Sequence, residues 1–273
     1  MIRIATNGHT YYAVTPAVEA AWKELLVRIG AEAEVAFDFL PYPAPQAPEE
    51  LWARHDLGCV FMMCGYPIAM RHVAVTPIAA PIPAAPWTGG RACYRSDLIV
   101  KADTGIQSLR DTFGGRLGWT TNHSHSAFNA LRHHLLQYRT GDRTTLYSHV
   151  SADLGSVRRL FESVCSGTID VGSIDAYWHL LLRHHEPELA ARVRVVESTA
   201  TAPIPAFVAS AAVPGEVIDR LAVAFTSSRG RAWFHSLADA LKITGFAASA
   251  LADFDVIRAR DLEAHGAGYP LPA

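Results

Sequence analysis

The residues best suited to chemistry stand together in Thr121-Asn122-His123-Ser124-His125-Ser126, a loop of hydroxyls and imidazoles. Arg116-Leu117-Gly118-Trp119-Thr120 before it reads as a short strand. Phe128, Leu131, Leu135 and Tyr138 after it fall on one helical stripe. A strand, a Ser-rich turn and a helix N-terminus together form an oxyanion receptor. The first-turn N–H groups have no partner inside the helix, and the helix dipole favours negative charge there. Ser124 and Ser126 would add hydroxyl donors. The plainer alternative is that one of these serines simply caps the helix, a role Ser fills well. On these six residues alone both readings stay open.

Other groupings point to less. Ser124, His149 and Asp175 can be written as a triad, but the chain has no G-x-S-x-G elbow, no Walker loop and no G-x-G-x-x-G. No enzyme activity and no cofactor are expected. His123-x-His125, His133-His134 and His184-His185 supply imidazoles. Adjacent histidines on a helix point in different directions, however, and no carboxylate stands at ligand spacing beside His123 and His125, so no metal site is expected. Cys59, Cys64, Cys93 and Cys165 form neither a CxxC nor a disulfide framework, and Cys59 reads as a buried thiol in an apolar run.

The elements that must hold the loop alternate between strand and helix. Residues 2–6 read as a strand. A helix follows with Thr15 as N-cap, Pro16 at its first position, a stripe of Val18, Trp22, Leu25, Leu26 and Ile29, and Gly30 as terminator. Strands are expected over 34–40, 57–63 and 73–79, with a Pro-rich loop at 41–48. Pro81, Pro83, Pro86, Gly89 and Gly90 then mark a boundary. Beyond it come strands at 91–101, 116–120, 144–148, 169–174 and 192–197, and helices at 126–139, 153–165 and 175–185. A second linker-like stretch, 198–205, precedes a strand at 206–210 and helices filling most of 214–262. This is the rhythm of an open, mainly parallel α/β sheet. Two boundaries imply an inserted domain: lobe I from 1–83 and 198–273, lobe II from 84–197, with a ligand cleft between them and a hinge at the two connections.

Composition fits that picture. Half of the 273 residues are hydrophobic and 18% are charged, which suits a packed core rather than disorder. The net charge of −2 gives no signal for nucleic acid. No apolar run reaches the roughly 18 residues of a membrane span. Residues 84–196 hold 13 Lys/Arg against 10 Asp/Glu, while the remainder holds 11 against 16. A net of +3 on the lobe with the Ser-rich loop suits anion capture. The chain enters a strand almost at once, so no signal peptide is expected in it as written.

Across most of its length the sequence resembles the phosphate/phosphite/phosphonate-binding proteins of ABC importers. Tyr94-Arg95-Ser96 with Leu98-Ile99-Val100 is similar to the family's Y-x-S strand. Asp103 to Asp111, followed by Gly114-Gly115-Arg116, is similar to D-S-G-I-x-S-L-x-D-L-x-G-K. Asn122 to Ala127 falls where the family has its D-x-x-S-x-S/T-S-G oxyanion loop. Ser148-His149 matches G-S-H, Gly167 to Gly172 matches G-x-x-D-v-g, and Pro203-Ile204-Pro205 matches the second crossover. The loop here ends Ser126-Ala127 rather than Ser-Gly, and Cys64-Gly65-Tyr66-Pro67 follows the family's G-P-x-x-Y only loosely.

The resemblance implies a two-lobe type II periplasmic-binding-protein fold with two crossover segments. Ser124 and Ser126, with His125 between them and the nearby amides, would receive the oxyanion. Tyr94 and Ser96 would donate from the cleft floor, and His149 would contact ligand. Asp175 would either cap a helix or pair with a ligand ammonium. From lobe I, Asn7 and Tyr12 would follow the first strand, and Tyr66 would line the loop after the third. The function implied is capture of phosphonate, phosphite or phosphate by hinge closure, as a monomer serving an ABC permease. The location would be periplasmic if a leader has been removed, and otherwise cytoplasmic. The alternative is a cytoplasmic enzyme or sensor on the same fold, acting on a small carboxylate or heterocycle.

Overall fold

The computed structural model describes residues 2–41, 48–53, 58 and 60–273. Leu57, Cys59 and most of the 41–48 loop lie outside them. In chain order the elements begin β1 (Ile2–Thr6), α1 (Pro16–Glu32), β2 (Val35–Phe39), α2 (Pro48–Trp52), β3 (Val60–Met63), α3 (Gly65–Ala69), β4 (Val75–Pro83) and β5 (Cys93–Tyr94). They continue as β6 (Ser96–Lys101), β7 (Arg116–Gly118), α4 (Ala130–Leu135), β8 (His149–Ser151), α5 (Val157–Cys165), β9 (Val171–Asp175), α6 (Ala176–His185), α7 (Pro187–Ala190) and β10 (Val193–Ser198). The chain ends with β11 (Ala202–Pro203), β12 (Ala206–Ser210), α8 (Gly215–Ser227), α9 (Phe234–Ala240), β13 (Ile243–Ala248) and α10 (Asp255–Gly266).

Two compact units emerge: Met1–Cys93 with Pro203–Phe254, and Tyr94–Ala202 with Asp255–Ala273. The chain therefore crosses between units at 93/94 and 202/203, and a third time at 254/255. The C-terminal segment, expected in the first lobe, belongs to the second unit. The reason is a buried ion pair: Arg132 of α4 binds Asp261 of α10, and both side chains are at most 5% exposed.

In the first unit Thr15 caps α1, accepting from Val18 N at 3.3 Å, and the predicted stripe is buried. Gly30 does not end the helix, which runs on to Glu32. A Cβ at position 30 would stand 2.6 Å from the Val35 carbonyl, so glycine lets α1 lie close against β2. The main sheet has the order β13-β4-β12-β3, with antiparallel neighbours, while β1 and β2 pair in parallel. Phe207, Phe225 and Phe246 pack ring on ring at 4.7 and 5.0 Å, joining β12, α8 and β13.

Two expectations fail here for physical reasons. Prolines 81 and 83 continue β4 instead of ending it. The first half of β4 pairs with β12 and the second half with β13, so each half has a side where no ladder N–H is needed. Ile243–Ala248, expected as helix, forms β13 against that half of β4.

The second unit holds a five-stranded sheet ordered β10-β6-β9-β7-β8. Only β9-β7 and β7-β8 are parallel; β10-β6 and β6-β9 are antiparallel. This sheet is thus mixed and the main sheet of the first unit antiparallel, where a mainly parallel one was expected. The strand expected at 144–148 is irregular backbone, and pairing starts at His149. Leu146 and Tyr147 are nevertheless core residues, 2% exposed, with the Leu146 N–H on the Ala273 carbonyl and its own carbonyl on Gly114 N. Apolar composition reported burial there and not pairing.

Candidate functional site

β7 ends at Gly118 and opens into the Ser-rich loop. Trp119 is buried, and its indole N–H bonds Asn122 Oδ1 at 2.8 Å, which fixes the start of the loop. The Thr121 carbonyl accepts from Ser124 N at 3.2 Å, closing a turn. Ser124 is the N-cap, its hydroxyl accepting from Ala127 N at 3.1 Å. The helix then starts as a π-turn over His125–Asn129 before tightening into α4. Such turns recur at functional sites because they displace side chains from the regular helical track. Here the wide turn carries the Asn129 N–H to the Ser124 carbonyl at 3.1 Å.

A clamp beneath the loop holds it to the sheet. The Ser126 carbonyl accepts two hydroxyls at 2.7 Å each, from Ser96 on β6 and Ser173 on β9. Both serines are at most 1% exposed. Two buried hydrogen bonds on one carbonyl, each worth about 1 kcal/mol, fix the direction of the neighbouring amides before any ligand arrives. This corrects the role of Ser96. Its only O–H is committed to Ser126, so it positions the loop and has no proton left to donate.

His125 is 1% exposed, and its ring lies 6.0 Å from that of Tyr94, which is equally buried. Its Nδ1 stands 3.2 Å from the Asn129 amide nitrogen. Burial, reinforced by the charges of Arg260 and His133, pushes the His125 pKa down to about 3. The imidazole is therefore neutral at physiological pH. Arg260 of α10 donates to the Thr201 carbonyl at 2.8 Å. Burial lowers its own pKa, yet it stays cationic and places positive charge close to Tyr94 and His125. The loop thus offers serine hydroxyls and first-turn amides in a positive field.

Other predicted residues have different employment. Asp175 is the N-cap of α6, its Oδ1 accepting from Tyr177 N at 2.7 Å and Trp178 N at 3.1 Å, which is the capping alternative. His149 is exposed at the first residue of β8, opposite Arg116 at the start of β7, with Nδ1 2.9 Å from the Ser148 hydroxyl. The Ser-rich loop leaves the other end of β7. The segment beside it is 152–156, where Leu154 N and Gly155 N bond the Trp119 and Thr120 carbonyls and Ser156 caps α5. His149 is therefore not grouped with Ser124, His125 and Ser126.

In the first unit, Asn7 follows β1 and is 8% exposed; Tyr12 is 2% exposed, 5.3 Å from the Tyr11 ring. Tyr66 lies in α3, 8% exposed, its ring 6.4 Å from that of His72. The Asn7 carbonyl accepts from the Thr10 amide and hydroxyl, both at 2.9 Å, which folds the β1 loop into a turn.

The family described as ABC transporter, phosphonate, periplasmic substrate-binding protein matches residues 13–254. The chain belongs to that family. A binding-protein component of an ABC phosphonate transporter from Pseudomonas aeruginosa superposes with a TM-score of 0.80 at 16% identity, over 98% of this chain and 87% of the other. PhnD1 from Prochlorococcus marinus, in complex with methylphosphonate, gives 0.75 at 11% identity over 97% and 98%. MatC from Rhodopseudomonas palustris, with bound malate, gives 0.64 at 9% identity over 97% and 99%. The fold is the type II periplasmic-binding-protein fold that these structures share. No curated protein sequence matches the chain.

As a substrate-binding component of ABC transporters, this phosphonate-family protein takes a small ligand and an ABC permease as partners. No helix among its described residues is long and apolar enough to cross a membrane. Sequence reasoning missed Ser173, Asn129, Arg132 and Asp261, which hold the loop. A signal was present: His125, Asn129 and Arg132 make a polar stripe at helical spacing on a segment whose other face is apolar. Such a stripe, buried, must be internally paired.

Proposed function

We propose that this family member is a non-catalytic periplasmic receptor for a small phosphorus oxyanion, with phosphonate, phosphite and phosphate as the class. It acts as a monomer, closes on its ligand and presents the closed form to its permease. The observation that carries the reading is the Ser124–Ser126 turn, with the Ser126 carbonyl held by Ser96 and Ser173. A carbonyl anchored twice at the start of a helix leaves first-turn amides and hydroxyls directed at one anion, without a paired cation. Methylphosphonate bound to a protein of the same fold supports the class; malate bound to another marks the competing chemistry.

The test is calorimetry and thermal unfolding with methylphosphonate, 2-aminoethylphosphonate, phosphite, phosphate and malate. A true ligand at a hundred times its Kd raises stability by about 2.7 kcal/mol. The double variant Ser124→Ala/Ser126→Ala loses hydrogen bonds to a charged group, each worth about 1.5–3 kcal/mol, so affinity drops about a hundredfold or more. A response to malate alone would transfer the site to carboxylates.

A further inference from the structure

Asn129 sits between three groups whose hydrogen-bonding polarity is fixed or can be deduced. Arg132 Nη2 reaches Asn129 Oδ1 at 2.9 Å, and a guanidinium only donates. The Ile257 carbonyl lies 3.0 Å from Asn129 Nδ2, and a carbonyl only accepts. The amide therefore has one consistent orientation, with oxygen toward Arg132 and nitrogen toward α10. Its nitrogen also faces His125 Nδ1 at 3.2 Å, so Nδ1 must accept. A neutral imidazole that accepts at Nδ1 carries its proton on Nε2.

Arg132 itself is held from α10 and the tail: it pairs with Asp261 and donates through Nη1 to the Pro270 carbonyl at 2.9 Å. From these contacts we infer that Asn129, Arg132 and Asp261 are positioning residues that lock His125 as an Nε2–H donor, never an acceptor, for the bound anion. The inference rests on the oxyanion-receptor reading for its use and on the hydrogen-bond geometry alone for the lock. The groups facing His125 agree with it. Tyr94 and Asn129 are neutral, while Arg260 and His133 disfavour a second proton on the ring. A protonated ring would also turn Nδ1–H against the Asn129 NH2 group. Serine hydroxyls can donate or accept, whereas this N–H can only donate, so the lock favours deprotonated oxygen at its position.

The first measurement is a long-range 1H–15N spectrum of 15N-histidine-labelled protein, with His125 assigned by its loss in His125→Gln. The expected spectrum is that of the Nε2–H tautomer, unchanged from pH 8 to 5. The second is calorimetry with methylphosphonate for the wild type and Asn129→Asp. The carboxylate would accept from Nδ1–H and leave Nε2 as an acceptor above the ring pKa. Affinity then falls about tenfold or more at pH 8 and recovers toward pH 5, where the ring is protonated. Ligand titration is common to both proteins and cancels in the affinity ratio, and a merely structural defect would not recover in acid.

An Nδ1–H spectrum, or a ring titrating near its ordinary value, overturns the lock. An affinity ratio that is flat with pH overturns the donor role. The locked spectrum in a wild type that binds neither methylphosphonate nor phosphate supports the relay and overturns the receptor reading instead.

Discussion

The loops that follow β1 and β7 begin alike, Thr6-Asn7-Gly8-His9-Thr10 and Thr121-Asn122-His123-Ser124-His125, yet they treat their polar atoms in opposite ways. After β7, Asn122 Oδ1 accepts from Trp119, the Ser124 hydroxyl from Ala127 N, and the Ser126 carbonyl from two buried serines. After β1, Thr6 Oγ1 accepts from Gly8 N, but among the described residues Asn7 Oδ1 and His9 Nδ1 are buried without a hydrogen-bond partner. A buried polar atom left unpaired costs about 1–3 kcal/mol. The backbone of one loop is therefore fixed by hydrogen bonds from its own unit, while the other loop buries two side-chain atoms for which the described residues provide no such bond. Preorganisation of the β7 loop lowers the cost of ordering it when an anion arrives.

The largest way to break that contrast is to unfinish the β7 loop. Arg132→Ala takes the guanidinium away from Asp261, 4% exposed, and also removes the donor that orients Asn129. Breaking a buried pair from one side costs about 3–5 kcal/mol, which lowers Tm by about 10 °C at this chain length. Differential scanning calorimetry checks it. A loss below 1 kcal/mol would mean that α10 does not hold the loop.

The next effect is smaller and depends on pH. His125 has its folded-state pKa depressed to about 3, against an ordinary 6.5. Between those values the unfolded chain binds a proton that the folded chain refuses. The contribution is full above pH 6.5 and is lost as pH falls, by about 1.4 kcal/mol per unit at most. Denaturant titrations from pH 7.5 to 5 should show a shallower acid decline for His125→Gln than for the wild type. Parallel declines would show that the ring charges readily and that the loop is less enclosed than its burial indicates.

How much of this was legible beforehand follows from what sequence encodes locally. The Thr15–Pro16 start of α1, the Ser-rich turn before a helix and the Asp175 cap were readable because each depends on residues within one turn of each other. β13, the prolines inside β4 and the return of α10 to the second unit were not, because partners far along the chain decide them. Ser96 shows the same limit within the site. Its residue type was read as a donor, but only the fold brings Ser126, thirty positions away, to take that proton. His149 was misplaced because Leu146 and Tyr147 look like strand and serve as buried irregular chain, which moves the pairing register onward.

The smallest predicted effect sharpens the comparison most, because its sign differs between stability and function. Asn7→Leu replaces a buried, unpaired amide with an apolar side chain of similar size. Removing an unsatisfied acceptor relieves its desolvation cost, so the variant should unfold at higher denaturant, more stable by about 1 kcal/mol. If Asn7 supplies its acceptor to the ligand, the same variant binds the cognate phosphorus compound more weakly while the β7 loop and its His125 spectrum stay unchanged. Opposite movements of stability and affinity are the signature of a polar group kept for binding. A variant that loses stability, or that gains it with affinity untouched, would place Asn7 among the structural residues of the β1 turn.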